Sequence, residues 1–145
     1  KAKAKGVEII LPVDSANGLE FSADTSRSVS EVGSIPAEGM GMDIGPRSEE
    51  LFRAKILESK AILWNGPMGV FEFPTFARGT MAQALADATK AGAYTLVGGG
   101  DSVAALRAAK LLDAVSYVST GGGAMLEYLE GKRLPGIEAI LDPRD

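Results

Sequence analysis

A short apolar run, three glycines and an acidic residue stand at residues 95–102, and their types could bind phosphate. The run before Gly98 is typical of a strand, and Asp101 and Ser102 can cap the helix favoured by the residues after them. Glycines let the backbone approach a phosphate, and the first amides of a helix favour negative charge. Asp101 would repel a phosphate unless a hard cation such as Mg²⁺ lay between them. The stretch therefore predicts a metal–nucleotide site; a plain glycine turn with Asp101 as helix cap is the alternative.

A second triple glycine, Gly121, Gly122 and Gly123, follows another apolar run and carries no charge. Its amides and the start of the next helix would be free to hold a bare or migrating phosphoryl group. A tight packing turn is the alternative here. A third glycine-bearing turn, at residues 65–69, follows the Ala-Ile-Leu-Trp run.

The composition excludes several kinds of chemistry. The 145 residues contain no histidine and no cysteine, which excludes serine–histidine triads, histidine bases, thiolate catalysis and disulfides. The net charge of −4 argues against a nucleic-acid or anionic-membrane surface, and no apolar run approaches the length of a membrane span. Hydrophobic residues make up 46% of the chain, which predicts a folded domain.

Short apolar runs alternate with amphipathic stretches, the βαβαβα pattern of a parallel sheet. We predict an α/β fold of Rossmann-like type, three layers with helices on both faces of a parallel sheet, incomplete at one side. Residues 14–45 are less regular and predict a loop with a small antiparallel element, and the apolar tail at 134–141 is expected to pack across a surface. The predicted strands are 7–13, 61–64, 93–97 and 115–119, and the predicted helices begin at Pro46, at Pro74, at the Asp101-Ser102 cap and after Gly123.

In such sheets, ligands bind outside the carboxyl ends of the strands. The strands at 61–64, 93–97 and 115–119 would deliver all three glycine-bearing turns to that edge. Glycines there are costly unless backbone must come close to something, so the three turns together favour a phosphate-containing ligand.

Several motifs together resemble those of the phosphoglycerate kinase family. The resemblance covers essentially all 145 residues, in order and without large gaps, and the runs at 64–72 and 119–124 are highly specific together. The runs are Gly-Met-Asp-Ile-Gly-Pro at 41–46, Trp-Asn-Gly-Pro-Met-Gly-Val-Phe-Glu at 64–72, Gly-Gly-Gly-Asp-Ser at 98–102, Ser-Thr-Gly-Gly-Gly-Ala at 119–124 and Leu-Glu-Gly-Lys-Arg-Leu-Pro-Gly at 129–136.

The resemblance implies transfer of a phosphoryl group between 1,3-bisphosphoglycerate and Mg²⁺-bound ADP, giving 3-phosphoglycerate and ATP. It places Gly121, Gly122 and Gly123 beside the phosphoryl group in transfer, as the catalytic set. Asp101 would face the metal. The implied nucleotide contacts are Gly41, Asn65, Gly66, Pro67, Met68, Phe71, Glu72, Gly99, Gly100, Asp101 and Ser102, with Glu72 near the ribose hydroxyls.

Three residues in the 64–72 run keep a second interpretation. Glu72 could be a solvated surface carboxylate, Trp64 a core aromatic, and Pro67 a purely structural turn residue.

The resemblance also implies that residues 1–145 form the later, C-terminal part of a nucleotide-binding domain. The preceding substrate domain and the earlier half of the nucleotide domain are not in this sequence. We therefore expect a cytoplasmic enzyme, monomeric when intact, whose upstream half lies elsewhere or in another chain, and no turnover from this segment alone. A non-catalytic nucleotide-binding fragment is the alternative. A dinucleotide-binding oxidoreductase is disfavoured because G-x-G-x-x-G and its acidic ribose partner are missing.

Overall fold

The computed structural model describes residues 1–141, and two three-stranded sheets organise them. The first sheet is antiparallel, in the order β2-β1-β3, and the second is parallel, in the order β4-β5-β6. Their strands are β1 (Asp14–Gly18), β2 (Ser28–Glu31), β3 (Met40–Ile44), β4 (Ala61–Trp64), β5 (Tyr94–Val97) and β6 (Tyr117–Val118).

Five α-helices lie in the described residues, joined by short 3₁₀ turns. The helix predicted to begin at Pro46 does so, and the three helices after β4, β5 and β6 complete the predicted βαβαβα order. The helices are α1 (Pro46–Glu58), α2 (Ala82–Lys90), α3 (Gly100–Ala108), α4 (Gly123–Leu129) and α5 (Pro135–Leu141).

The main core lies on one face of the parallel sheet. Trp64 and Val97 point into it from β4 and β5 and pack with Leu85 of α2 and Leu106 of α3. Trp64 is therefore a core aromatic, the structural alternative left open by the sequence. The residues that alternate with these on the sheet, such as Leu63, Tyr94 and Tyr117, are exposed, as expected for a domain that is incomplete on this side.

The antiparallel element predicted within residues 14–45 is a full sheet with β1 at its centre. Asp14 at the start of β1 fixes the beginning of α1, because its carboxylate accepts the amide N–H groups of Arg47 (3.0 Å) and Ser48 (2.9 Å). Burial alone would raise the pKa of Asp14. The bonds from the Ser48 hydroxyl and from the two amides outweigh burial and lower that pKa.

The strand predicted at residues 7–13 is wrong. Residues 7–12 have no strand partner in the part of the chain that the structure describes, and Val7, Ile9 and Leu11 are exposed. Pairing begins one residue later, where the Val13 carbonyl accepts the amide of Val32. An apolar run becomes a strand only when neighbouring strands satisfy its backbone, and composition does not supply that neighbour.

The helix predicted from Pro74 is also wrong in its first half. Pro74–Phe76 and Arg78–Thr80 form separate 3₁₀ turns, and α2 begins only after Met81, which has a left-handed φ of 59°. Phe76 is fully buried and Gly79 is bonded to Asp43, so tertiary contacts override the local helical pattern. Within the tail at 134–141, residues Pro135–Leu141 form α5. The prediction that this tail packs across a surface is wrong for its end, because Ile140 and Leu141 are exposed.

Candidate functional site

Three turns meet at the carboxyl edge of the parallel sheet, as the sequence predicts. Trp64, Val97 and Val118 are aligned across β4, β5 and β6, so the chain leaves each strand at the same level. Backbone bonds continue beyond the strands, from the Gly98 amide to the Trp64 carbonyl (3.0 Å) and from the Ser119 amide to the Val97 carbonyl (2.7 Å). The turns after the strands therefore start side by side.

The turn after β5 requires glycine. Gly99 has φ 91° and ψ 140°, a conformation that costs L side chains steric strain. A Cβ on Gly99 would also overlap the Oδ1 atom of Asn65. The next residue, Gly100, begins α3, and a Cβ there would meet no protein atom within 4 Å.

Ser102 ties the turn after β5 to the turn after β4. Its side chain is fully buried, and its Oγ atom accepts the amide N–H of Gly66 at 2.6 Å. Together with Asn65 packed over Gly99, this bond locks the Asn-Gly-Pro turn against the first turn of α3. Sequence reasoning placed Ser102 at the nucleotide and missed this link, since the two bonded residues are 36 positions apart.

The turn after β6 is held by local bonds. The Gly121 amide donates to the Ser119 Oγ atom (3.2 Å), and the Ala124 amide donates to the Gly121 carbonyl (3.0 Å). Gly122 has φ 51° and ψ −127°, so this turn also needs glycine at its centre. A Cβ on Gly123 would meet nothing within 4 Å.

The two triple-glycine turns border one cavity of about 270 Å³. Gly99 and Gly100 line one side, and Thr120 and Gly122 line the other. Arg107, two turns along α3, borders the same cavity and is a residue that the sequence analysis did not single out. The structure thus brings the predicted phosphate turns together around an open space.

Asp101 stands apart from that space. It is exposed in the first turn of α3 and does not belong to the cavity lining. Within residues 1–141 no cluster of three or more acidic side chains could hold a metal ion. A single carboxylate fits Mg²⁺ in the manner typical of nucleotide sites, where substrate phosphates and water supply the other ligands.

The residues predicted at the nucleoside divide into two groups. Gly41 on β3 and Met68 line a second cavity of about 370 Å³, together with Met42, Gly69 and Val70. In the other group, Phe71 is half-buried against the main core and Glu72 is exposed, so the structure does not place these two in that lining. Pro67 is half-buried between Gly66 and Met68, in neither cavity lining.

Comparison with known proteins decides the family. The family model described as phosphoglycerate kinase matches residues 1–132. The chain belongs to the phosphoglycerate kinase family. A phosphoglycerate kinase of Chlorobaculum tepidum is 58% identical over 98% of this chain, and one of Porphyromonas gingivalis is 58% identical over 97%.

Solved structures agree. The structure of phosphoglycerate kinase from Coxiella burnetii matches 94% of this chain with a TM-score of 0.86 and 43% identity. The enzyme from Pyrococcus horikoshii matches 90% with a TM-score of 0.71 and 33% identity. The chain spans only about a third of these relatives, 36% of the Chlorobaculum protein and 35% of the Coxiella structure.

The predictions of the phosphoglycerate kinase family and of an incomplete α/β domain are therefore confirmed. In residues 1–141 no helix is long and apolar enough to span a bilayer.

Proposed function

We propose that this segment supplies the nucleotide and phosphoryl contacts of an enzyme that transfers a phosphoryl group between 1,3-bisphosphoglycerate and Mg²⁺-bound ADP. The observation that carries the proposal is the cavity shared by the glycine turns after β5 and β6. A Cβ on Gly100, Gly122 or Gly123 would meet no described atom within 4 Å, and such open backbone suits polyphosphate binding at the ends of parallel strands. Family membership supports the same chemistry.

In the proposed reaction, an oxygen of the ADP β-phosphate attacks the phosphorus at the C1 acyl phosphate of 1,3-bisphosphoglycerate. The new O–P bond makes ATP, and the bond between phosphorus and the C1 oxygen breaks, leaving the carboxylate of 3-phosphoglycerate. No general base or acid is needed, because the attacking β-phosphate oxygen is already ionised and the leaving oxygen departs as part of a carboxylate, which needs no proton. Catalysis then rests on positioning and on stabilising charge, which a chain without histidine can supply.

The residues divide this work between the turns. Gly99, Gly100 and the first turn of α3 hold the nucleotide phosphates, and Asp101 would hold the magnesium ion, which would supply positive charge against that of the phosphates. Gly122 and Gly123 present amides to the phosphoryl group in transfer, and Gly121, whose own amide is bonded to the Ser119 Oγ atom, completes the turn. The nucleoside would lie along Gly41, Asn65, Gly66, Pro67, Met68, Phe71 and Glu72. Ser102 keeps the turn after β5 in place through its bond to the Gly66 amide.

A second candidate function is nucleotide binding without turnover by this segment alone. The observation favouring it is that the chain spans about a third of its relatives, while both phosphate turns are complete within it. A monomeric state, a cytoplasmic location and the phosphoglycerate contacts of the whole enzyme stay predictions from the family.

A glycine without neighbours offers a clean test. Gly123→Ala in the full-length enzyme adds a methyl group that meets no atom of residues 1–141 within 4 Å, and we expect the fold to keep its melting temperature. The methyl would crowd a phosphoryl group held by the turn, and we expect kcat to fall by about tenfold or more. Gly136→Ala in α5 is the matched control, since its Cβ also meets nothing within 4 Å. Equal turnover in both variants would contradict the proposal. ADP binding by the isolated segment without turnover would favour the second candidate for the segment itself.

A further inference from the structure

Asp43, at the end of β3, is a buried carboxylate for which the proposed reaction has no use. It is 7% exposed. Its Oδ2 atom accepts the amide N–H of Gly79 at 2.8 Å, and its Oδ1 atom accepts the amide N–H of Ile44 at 2.8 Å. Among residues 1–141 it forms no ion pair within 4.0 Å, so backbone amides, not a basic side chain, meet this charge. Burying a carboxylate in this way is costly and calls for a role.

The Asp43 carboxylate lies directly against two glycines, Gly69 and Gly79. A Cβ on Gly69 or on Gly79 would overlap the Oδ1 atom of Asp43. Neither glycine has a positive φ, so backbone conformation does not explain them. Asp43 therefore occupies the space of two absent side chains, one in the loop after β4 and one in the 3₁₀ turn before α2.

A backbone bond joins the same loop to the same strand. The Val70 amide donates to the Met42 carbonyl at 2.9 Å, next to the contact between Gly69 and Asp43. Gly41, Met42, Asp43, Gly69 and Val70 all line the 370 Å³ cavity that Met68 also borders. Asp43 thus fastens β3 to the 3₁₀ turn at Gly79 by a hydrogen bond and lies directly against Gly69, in the loop that leads into Phe71 and Glu72.

We propose that Asp43 is a positioning residue for nucleotide binding: its carboxylate, bonded to Gly79 and packed against Gly69, sets how residues 69–72 lie on β3, so that Glu72 and Phe71 keep a fixed position relative to Gly41. The inference rests on the proposed function, because it assigns a role within the same site. Asp43 acts through the loop and does not touch the phosphoryl group.

The charge of Asp43 makes this role sensitive to pH. Burial raises its pKa to about 6, against the opposing effect of the amides of Gly79 and Ile44. Glu49 of α1 raises the pKa further and Arg27 lowers it; Glu49 itself lies 3.3 Å from Arg78 and 4.0 Å from Arg27. Protonation below about pH 6 turns one acceptor oxygen into a hydroxyl and weakens one of the two amide bonds.

Ionisation of Asp43 has opposite effects on the stability of the fold and on the proposed nucleotide binding. The pKa of Asp43 in the folded state lies above the ordinary carboxyl value of 3.8, so the folded state holds the proton more tightly than the unfolded state. Ionisation of Asp43 therefore lowers the free energy of unfolding as pH rises from about 4 to about 6. A role in stability alone would favour the protonated form, whereas the positioning role needs the ionised one.

The test uses full-length enzyme and follows KM for Mg²⁺-bound ADP and kcat separately. Asp43→Asn keeps the shape but turns one acceptor into a donor facing an amide, and Gly69→Ala pushes the loop off the carboxylate. We expect both to raise KM for ADP by about tenfold while kcat changes by less than about threefold. Thr95→Val is the control, since it removes another buried, hydrogen-bonded polar side chain of a strand, one that lies in the other sheet and outside the 370 Å³ cavity.

The pH profile supplies the second readout. ADP phosphates titrate near pH 6 as well, so the informative quantity is the ratio of KM values for Asp43→Asn and wild type. We expect this ratio to shrink below pH 6, where wild type loses its own charge at Asp43. Should Asp43→Asn fail to fold, Gly69→Ala carries the test through the KM and kcat comparison.

The outcomes separate the two proposals. Unchanged KM in Asp43→Asn and Gly69→Ala, or an equal rise in Thr95→Val, overturns the role of Asp43 and leaves the proposed function standing. A wild-type enzyme that transfers no phosphoryl group to ADP overturns both.

Discussion

The two triple-glycine turns share three residues in a row but differ in how the rest of the molecule holds them. The turn after β5 is clamped from outside: Ser102 accepts the Gly66 amide, and Asn65 covers Gly99. Its helix, α3, buries Ser102, Ala105 and Leu106. The turn after β6 has only its own bonds, and none of the residues 123–129 that form α4 is buried.

The difference matches two tasks. A turn that anchors the phosphates of a bound nucleotide gains from being fixed before the ligand arrives, because less order is then lost on binding. A turn that follows a phosphoryl group moving between two substrates gains from freedom to adjust. Under the proposed function, the turn after β5 is the anchor and the turn after β6 is the adjustable partner.

The largest expected effect separates the turns by charge. Asp101→Ala in the full-length enzyme should lower kcat by about a hundredfold or more, the loss typical when one group that stabilises transition-state charge is removed. The fold should stay intact because Asp101 is exposed. A coupled assay of ATP formation gives kcat, and melting gives the fold. Asp113→Ala, another exposed acid, serves as control. Wild-type kcat in Asp101→Ala would show that the carboxylate of the turn after β5 has no part in the difference between the two turns.

The next effect separates the turns by rigidity. Gly99→Ala adds both backbone strain and an overlap with Asn65, and we expect it to lower the free energy of unfolding by about 3 kcal/mol. Gly122→Ala adds strain alone, since a Cβ there meets nothing within 4 Å, and should cost about 1–2 kcal/mol. Urea unfolding of the full-length proteins measures both. Equal losses would mean that the clamp on the first turn contributes nothing.

The smallest effect comes from one hydroxyl in each turn. Ser102→Ala leaves the Gly66 amide without its acceptor and should cost about 1 kcal/mol of stability, with a rise of several-fold in KM for ADP. Ser119→Ala removes the corresponding bond to the exposed Gly121 amide and should cost less than about 0.5 kcal/mol, because water replaces it. The same unfolding and kinetic measurements check both. A larger loss in Ser119→Ala would reverse the assignment of anchor and partner.

Much of the parallel sheet could be predicted from sequence, because its signals are local. The apolar runs at 61–64 and 93–97 are strands, and Pro46 begins a helix. Once the strands are known to be parallel and adjacent, their following turns must share an edge, so the meeting of the glycine turns also follows from pattern.

The failures come from contacts between distant residues. Residues 7–13 look like a strand, but pairing and not composition decides, and no described strand lies beside residues 7–12. The stretch from Pro74 has a helical pattern, yet the Gly79 amide donates to the Asp43 carboxylate, 36 positions earlier in the chain, and the helix begins only after Met81. The bond between Ser102 and Gly66 has the same origin. Each of these needs the folded chain before it can be recognised.

The central claim, that bare amides at neighbouring strand ends hold the phosphates of ADP, is tested most directly at Gly100. A Cβ there meets no atom of the described residues within 4 Å, so we expect Gly100→Ala in the full-length enzyme to keep its melting temperature while it places a methyl group where phosphates are expected. Calorimetric titration with Mg²⁺-bound ADP should show affinity weakened by about tenfold or more, with Gly136→Ala unchanged. Wild-type affinity in Gly100→Ala would contradict the account.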